Sequence, residues 1–267
     1  DRLFAKRNLI FTILFSAYCV GCLALMSDFG TALIFFVAFL CIAFLRTGDL
    51  PSIVMITAAA GFAGGIVLRF KPYVLARFAV WRHAWEYAQK GGYQQTRTMS
   101  AVASGGLFGA GPEEAWLKYV GAANTDLVFG VVSEEFGLLL ALCAAAAVIL
   151  LGIYALRAAG RSRSSFYAIA ACATAAMLVF QTTLNVLGSV DLLPLTGVTF
   201  PFVSMGGSSM LSCWGLLAYL QAAAPPPVSV KAAPKAPAPA VKPPQATGFL
   251  DELGISTDDI FGKEDAR

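Results

Sequence analysis

Long runs of apolar residues, separated by short polar segments, organise most of this chain. Six such runs occupy residues 8–26, 29–45, 52–68, 127–156, 166–190 and 208–223. A helix needs about 17–25 predominantly apolar residues to cross the hydrocarbon core of a bilayer, and the runs are close to this length. They are continuously apolar, whereas the strands of a membrane barrel alternate apolar and polar positions. The pattern therefore predicts an all-α, polytopic transmembrane bundle with six spans.

Composition indicates the same class. Hydrophobic residues make up 58% of the 267 positions and charged residues 13%, which is typical of multi-span membrane proteins rather than soluble domains. All six cysteines fall within the apolar runs, and the chain has a single histidine, His83. Cys19 and Cys22 form a CxxC without a second pair of ligands. We therefore predict no metal-binding residues and interpret the cysteines as small buried hydrophobic residues.

The basic residues predict the orientation in the membrane. Arginines and lysines close to the spans favour the cytoplasm. If the spans alternate, one side collects Arg2, Lys6, Arg7, Arg46, Arg157, Arg161 and Arg163. Residues 69–124 and 191–207 are then extracytoplasmic, and the C-terminal tail is cytoplasmic. We expect a multi-pass protein of the inner (plasma) membrane.

The long outer segment has features of its own. Residues 73–87 mix aromatic, apolar and cationic side chains, as helices at a membrane interface do. Residues 91–111, GGYQQTRTMSAVASGGLFGAG, are too polar to span, and we interpret them as a re-entrant or interfacial segment. Between residues 69 and 114 there are six basic residues and three acidic ones. Either a long loop is translocated regardless of its charge, or this face meets a polyanion such as a phosphate-bearing lipid head group.

Composition also predicts the domain organisation. Residues 1–223 form the membrane domain, residues 224–247 a linker rich in proline and alanine, and residues 248–267 an acidic cytoplasmic tail peptide. Eight of the thirteen prolines fall between residues 225 and 244, which favours an extended linker without a core. The tail either docks on a cytosolic partner or is an inert solvated segment.

Three carboxylates lie at the lip of the fourth apolar run or inside it: Asp126, Glu134 and Glu135. Ionised side chains are costly in hydrocarbon, so they usually face a bundle interior or a water-filled cavity and mark a functional site. A helix that begins at Asp126 places this residue on one narrow face with Gly130, Ser133 and Gly137. We expect this face to line a hydrophilic cavity, with Glu134 beside it. The alternative is structural: Asp126 caps the helix, and the glutamates pair with arginines of the bundle.

Other polar segments are weaker candidates. SGGLFGAG, residues 104–111, lacks the GK[ST] ending of a phosphate loop, so we expect flexible backbone near a ligand rather than a nucleotide site. TGVTFPFVSMGGSS, residues 196–209, brings glycines and Ser208 to the start of the last span, where free amides form either an anion site or a plain cap. Asp28 either caps a helix or faces the cavity.

Four motifs, in this order and spacing, resemble the SEDS family (shape, elongation, division and sporulation; RodA/FtsW type). SDFGTA resembles the family's PDLGTA, and residues 91–111 resemble its GYQ, a following Q and GGLFGKG. TDLVFGVVSEEFG resembles TDFIFAVIGEELG, and TGVTFPFVSMGGSS resembles TGVPLPFISYGGSS. Family members have more spans than this chain, which matches the second half of their length.

The resemblance implies a helical membrane enzyme that polymerises lipid II into glycan strands of peptidoglycan, in cell-wall elongation or division. It implies membrane lipid and a cross-linking class B penicillin-binding protein as partners, and no nucleic acid. The family's essential aspartate falls on Asp126. The family commonly reads YLPE, then a residue, His and TD before this span, whereas this chain reads YVGAANTD. A glutamate that some members carry on this loop is Lys118 here.

The implied reaction needs few groups. A sugar hydroxyl attacks the anomeric carbon of another lipid-linked chain and expels undecaprenyl pyrophosphate. Glycosidases use an acid for a poor alkoxide leaving group, but a pyrophosphate needs only charge stabilisation. We therefore expect Asp126 to be the general base, with cations holding the phosphates. Burial beside Leu127 and Phe129 should raise the pKa of Asp126 and make it a better base.

The candidate substrate-binding residues come from the outer segment and from helix ends: Arg77, Arg82, Lys90, Gln94, Arg97, Lys118, Ser133, Glu134, Ser208 and Ser209. The sequence does not rank the basic residues, which hold the phosphates either alone or with a divalent cation. Two other functions are open at this stage. A flippase for the lipid-linked precursor would use the same carboxylates and basic rim, and a non-catalytic scaffold of the division or elongation machinery would tolerate replacement of Asp126.

Overall fold

The computed structural model describes residues 11, 13–19, 21–22, 28–70, 72–162 and 164–223. These residues form helices and turns, with no strand among them. The predicted linker at 224–247 and the acidic tail at 248–267 lie outside the described residues. Part of the first predicted span lies outside them too, although residues 13–19 are helical.

The helix at Ser165–Ser189 packs against most of the other described helices. In chain order they are α1 (Phe29–Thr47), α2 (Leu50–Phe70), α3 (Pro72–Val80), α4 (Tyr93–Gly105), α5 (Val128–Phe136), α6 (Leu138–Arg161), α7 (Ser165–Ser189) and α8 (Gly207–Ala223), with a 3₁₀ turn at Leu117–Tyr119. Among the described residues, α1, α6 and α7 are long and apolar enough to cross a membrane. Helix α7 contacts α1, α6 and α8. The fold is the all-α, polytopic architecture that the sequence predicts.

Small residues build the interface between α6 and α7. Ala155 of α6 and Ala171 and Ala175 of α7 are buried together with Leu220 of α8. A Cβ on Gly152 would lie 2.7 Å from Cγ2 of Val179, so the two helices approach closely there. Lipid chains are as apolar as leucine, so membrane helices gain more from close contact between small residues than from burial of apolar area.

Local signals in the sequence set both ends of α1. The carboxylate of Asp28 accepts a hydrogen bond from Thr31 N at 3.1 Å and satisfies an amide that lacks a partner in the first turn. At the other end Gly48 takes a left-handed conformation with φ of 62°, and its N–H donates to Phe44 O at 2.8 Å. Asp28 therefore caps a helix, which was one of the two roles considered for it.

The predicted span at 127–156 is not one helix, and this part of the sequence prediction is wrong. Helix α5 ends at Phe136, and α6 begins at Leu138. Gly137 between them has φ of 95° and ψ of 155°, a conformation that side chains with a Cβ rarely adopt. The sequence did not single out this break, because the run also contains Gly130 and Gly152, which lie inside helices.

The glycine loop, residues 105–111, supplies the hydrogen bonds that this break leaves open. Ala110 N and Gly111 N donate to the carbonyls of Glu134 and Glu135 at 2.8 and 3.1 Å. In the other direction, Leu138 N donates to Gly106 O at 2.9 Å and Leu139 N donates to Leu107 O at 3.3 Å. Backbone at membrane depth can leave the helix only where other protein groups satisfy it. The loop is therefore part of the scaffold.

Glycines, which have no side chain, allow the loop and α4 to pack closely against α5. A Cβ on Gly105 would lie 2.6 Å from Cα of Glu134 and would overlap the carbonyl oxygen of Ser133. A Cβ on Gly130 would lie 2.8 Å from Cδ2 of Leu117 and would overlap the Thr98 side chain. Gly109, with φ of 89°, packs against the carbonyl of Glu135.

We expect Gly105→Ala to destabilise the protein by about 1–3 kcal/mol, because the new methyl group must displace backbone atoms of α5. Gly61→Ala is a matched control, since a Cβ there meets nothing within 4 Å. Thermal unfolding of the detergent-solubilised protein would compare the two variants with the wild type. Equal midpoints for all three proteins would contradict the close packing of α4 on α5.

Candidate functional site

Asp126 lies in a tight turn immediately before α5. Its N–H donates to Ala122 O at 2.9 Å, and Leu127 N donates to the same oxygen at 3.2 Å. Ala122 has φ of 64°, an unusual value for a residue other than glycine. The N-terminal cap of α5 is Leu127, without a side-chain hydrogen bond, so the structural alternative, in which Asp126 caps this helix, is wrong. Its half-buried carboxylate is left for other contacts.

Two other parts of the chain hold the backbone of this turn. Asn185 Nδ2 donates to Asp126 O at 2.9 Å. Ser204 Oγ donates to Thr125 O at 2.6 Å, and Met205 N donates to Asn124 O at 2.8 Å. Three consecutive carbonyls are therefore fixed by groups far away in the sequence. Sequence analysis missed Asn185 and Ser204; a polar amide inside the apolar run 166–190 was the available signal for Asn185.

The carboxylate of Asp126 and the guanidinium of Arg77 both lie close to Gly197. A Cβ on Gly197 would lie 3.2 Å from Asp126 Oδ2 and 3.8 Å from Arg77 Nη1. Gly197 has φ of 75°, which favours glycine at this position. Arg77 Nη1 also donates to Leu195 O, so α3 reaches across to the loop that carries Gly197. Of the basic residues that the sequence offered as phosphate ligands, Arg77 is thus one that the fold places near Asp126.

Burial raises the pKa of the Asp126 carboxyl above its usual value. A hydrogen bond from Thr125 and the charge of Arg77 act in the opposite direction, and the nearby charge of Asp28 raises the pKa further. The Thr125 hydroxyl also donates to Ala122 O at 3.2 Å. Desolvation has the largest effect, and the direction is the one expected from the apolar neighbours in the sequence.

The connecting segment, residues 72–92, is attached to the loop after α7 by Asp191. Its carboxylate accepts hydrogen bonds from Arg82 N at 3.1 Å, Ala84 N at 3.4 Å and Gln95 Nε2 at 2.9 Å. Trp81 Nε1 adds a bond to Leu192 O at 3.0 Å. These contacts explain why the predicted interfacial helix at 73–87 is shorter than expected. Helix α3 ends at Val80, and the amides of Arg82 and Ala84 bind Asp191 instead of continuing the helix.

The other predicted polar ligands have separate surroundings. Gln94 Nε2 donates to Gly121 O at 3.1 Å and braces the turn before Asp126. The Arg97 guanidinium lies 5.2 Å from the ring centroid of Tyr93 and 5.9 Å from that of Trp116, a cation–π arrangement.

Lys118 donates to Pro112 O, and its ammonium lies 5.5 Å from the Tyr119 ring centroid. The Arg82 and Lys90 side chains are exposed. At the start of α8, Ser208 is exposed and Ser209 Oγ lies 2.7 Å from Thr199 Oγ1.

Ser133 and Glu134 do not line a cavity, which corrects the sequence interpretation of this helix face. Ser133 is completely buried, and its hydroxyl donates to Phe129 O at 2.7 Å. Glu134 is 1% exposed and accepts hydrogen bonds from Trp116 N at 3.1 Å and Leu117 N at 2.9 Å. The predicted pairing with arginines is therefore replaced, for Glu134, by two backbone amides at the start of the 3₁₀ turn. The face packs against α4 because its glycines permit close contact.

A divalent cation needs several oxygen ligands. Among the described residues, no three of His, Cys, Asp and Glu come together in an arrangement that could hold a metal ion. The described residues therefore do not fit a metal cage made by protein side chains alone.

The fold and this site define a class: a polytopic helical membrane protein that holds a half-buried carboxylate beside an arginine at one end of its bundle. The chain belongs to the FtsW/RodA/SpoVE family, described as cell cycle proteins, whose family model matches residues 2–225. This confirms the resemblance to the SEDS family.

Relatives agree with this assignment. The chain is 34% identical over 204 residues to the peptidoglycan glycosyltransferase RodA of Mycobacterium leprae, covering 75% of this chain and 43% of that protein. It is 30% identical over 218 residues to the probable peptidoglycan glycosyltransferase FtsW of Bacillus subtilis, covering 75% of this chain and 52% of the relative. The chain thus spans about half the length of the curated relatives that it matches.

A solved structure has a similar fold. It is described as "Structural coordination of polymerization and crosslinking by a peptidoglycan synthase complex" and matches with a TM-score of 0.62 and 24% identity. The match covers 79% of this chain and 60% of the solved chain. At this level of identity the similarity concerns the fold.

We expect Glu134→Gln to lower stability by about 1–3 kcal/mol, because the new amide nitrogen would face one of the two buried N–H groups. Glu135→Gln is the matched control, since Glu135 is the next residue and only half-buried. Thermal unfolding and hydrogen exchange at the Leu117 amide would report the change. Unchanged stability together with weaker substrate binding would instead support the ligand role predicted for Glu134.

Proposed function

We propose that this chain carries the active site of a peptidoglycan glycosyltransferase that polymerises lipid II during cell-wall elongation or division. The observation that carries the proposal is the half-buried Asp126 carboxylate, which lies next to Arg77 at Gly197 with its pKa raised by burial. The relatives named as peptidoglycan glycosyltransferases support the same reaction.

In the proposed reaction, the hydroxyl of one lipid-linked disaccharide attacks the anomeric carbon of another lipid-linked chain. Asp126 accepts the hydroxyl proton as the new glycosidic bond forms, and the bond to the pyrophosphate oxygen breaks. The departing undecaprenyl pyrophosphate takes the electron pair and needs charge stabilisation rather than a proton. Direct attack inverts the anomeric configuration, so an α-linked donor gives a β-linked product. A raised pKa makes Asp126 a better base, provided that it is ionised at the working pH.

Among the candidate cations we rank Arg77 first. Its charge acts on Asp126, and Leu195 O orients its guanidinium. A preorganised cation near the reacting atoms stabilises developing negative charge without further rearrangement. Arg82, Lys90, Arg97 and Lys118, with Gln94, Ser208 and Ser209, remain proposed contacts for the rest of the lipid-linked substrate.

The proposed setting follows from the same considerations. The protein lies in the inner membrane, with the Asp126 end extracytoplasmic and the C-terminal tail cytoplasmic, as the basic residues near the spans predict. We propose a class B penicillin-binding protein as the cross-linking partner. The similar fold found in a peptidoglycan synthase complex supports a partner of this kind.

Asp126→Asn should leave the fold intact and abolish polymer formation, since the amide cannot accept the proton. Asp49→Asn makes the same chemical change at an exposed aspartate and should leave the rate unchanged. Gel analysis of glycan products from full-length purified protein and lipid II would measure both. Polymer at the wild-type rate from Asp126→Asn would remove the catalytic assignment, and translocation of lipid II without polymer from the wild type would indicate a flippase.

Arg77→Gln should shift the acid limb of the pH–rate profile to higher pH. The base must be ionised, so the rate falls as pH drops through the pKa of Asp126. Arg77 lowers that pKa, and its removal therefore raises it. Arg82→Gln removes an exposed charge and should leave the position of the acid limb unchanged. A shift to lower pH in Arg77→Gln, or the same shift in both variants, would contradict this geometry.

A further inference from the structure

Asn185 connects two separate segments of the chain from inside α7. It is 2% exposed and lies in a run that is otherwise mostly apolar. Its Nδ2 donates to Asp126 O at 2.9 Å and to Val198 O at 2.7 Å. The two protons of the amide group are thus used on the turn before α5 and on the loop between α7 and α8.

The orientation of this amide follows from its surroundings. Both neighbours of Nδ2 are carbonyl oxygens, and a flipped amide would place Oδ1 against them in a repulsive contact. In the observed orientation Oδ1 is buried and has no hydrogen-bond partner among the described residues. An unpaired buried acceptor is unfavourable. The side chain therefore leaves one acceptor unsatisfied while it supplies two donors.

The two segments joined by Asn185 carry the groups of the proposed site. One segment holds Asp126, and the other holds Gly197, which packs against the Asp126 carboxylate. The second segment also holds Leu195, whose carbonyl orients Arg77. The separation between the carboxylate and the guanidinium thus depends on how far apart these two backbones lie. Asn185 bridges them with two hydrogen bonds from a single atom.

We propose that Asn185 is a positioning residue for glycosyl transfer: its amide fixes the segment bearing Asp126 against the loop bearing Gly197 and Leu195. This inference rests on the proposed function. Asn185 is buried beneath the site and acts through Asp126, without touching substrate. Misplacement of a catalytic group by about 1 Å can lower a rate by about 10²-fold, so control of this separation matters for turnover.

A graded series of nearly isosteric variants tests the proposal in the full-length protein. Asn185→Leu supplies no donor. Asn185→Asp supplies one donor in its protonated form, which burial favours. We expect kcat to fall by about 10²-fold in Asn185→Leu and by less in Asn185→Asp, with KM for lipid II nearly unchanged. Gel analysis of polymer over a range of lipid II concentrations would give both constants.

The titration of Asp126 gives a second readout. If the carboxylate moves away from Arg77 in Asn185→Leu, the acid limb of the pH–rate profile should shift to higher pH. Difference infrared spectroscopy of the Asp126 carboxyl would show the same shift without turnover. This measurement separates the two proposals, because it still reports positioning if the wild-type protein forms no polymer, a result that would defeat the proposed function alone.

Thr182→Val is the matched control. Thr182 lies about one turn before Asn185 on α7, is 3% exposed, and donates to Leu178 O of its own helix at 2.9 Å. This variant loses a buried hydrogen bond without reaching the site, so kcat and the acid limb should stay at wild-type values.

Three results would overturn the positioning role. The first is a folded Asn185→Leu protein with wild-type kcat and an unshifted pKa of Asp126. The second is an equal loss of kcat in Asn185→Leu and Thr182→Val. The third is failure of both Asn185 variants to fold while Thr182→Val folds, which would assign Asn185 to folding alone.

Discussion

Backbone amides and carbonyls that are removed from water must find partners, and the break between α5 and α6 is where this requirement is hardest to meet. Four hydrogen bonds with residues 105–111 close the break, two in each direction. The exchange ties the end of α4 to both helices. The direction of α5, and with it the turn that carries Asp126, therefore depends on a loop that contributes backbone rather than side chains.

The site is assembled from segments that are each held by polar contacts to distant parts of the chain. Asn185 and Ser204 fix the turn before α5, and Asp191 fixes the connecting segment that carries Arg77. The residues other than glycine with positive φ among those described belong to these same segments: Arg82, Ala122, Asp191 and Phe202. A backbone conformation that is unfavourable by itself persists where many surrounding contacts hold it in place. Here those contacts hold the turn before Asp126 and the segments that carry Arg77 and Gly197.

Two carboxylates eight residues apart have opposite environments. Glu134 is enclosed and binds two backbone amides, which makes it a structural acceptor. Asp126 is half-buried, lies beside Arg77, and has a carboxyl pKa raised by desolvation. Both are acidic residues near one apolar run, so their types do not distinguish them. The difference comes from what packs on each: α4 and the 3₁₀ turn cover Glu134, whereas Asp126 meets Gly197 at the end of the bundle.

The sequence alone determined the helical membrane class and the spans α1 and α7, gave the cap of α1 as one of two roles for Asp28, and singled out Asp126 as a candidate. These features depend on the length of apolar runs, on residues close in sequence and on the energy of a charge near hydrocarbon, all of which can be read locally. Tertiary structure decided the break at Gly137, the burial of Ser133 and Glu134, the proximity of Arg77 to Asp126 and the hydrogen bonds of Asn185. Each of these depends on which backbone lies opposite, across separations of up to 118 residues in the bond from Arg77 to Leu195. A periodic pattern predicts which residues share one face of a helix. Only the packed chain shows whether that face contacts water, substrate or another backbone.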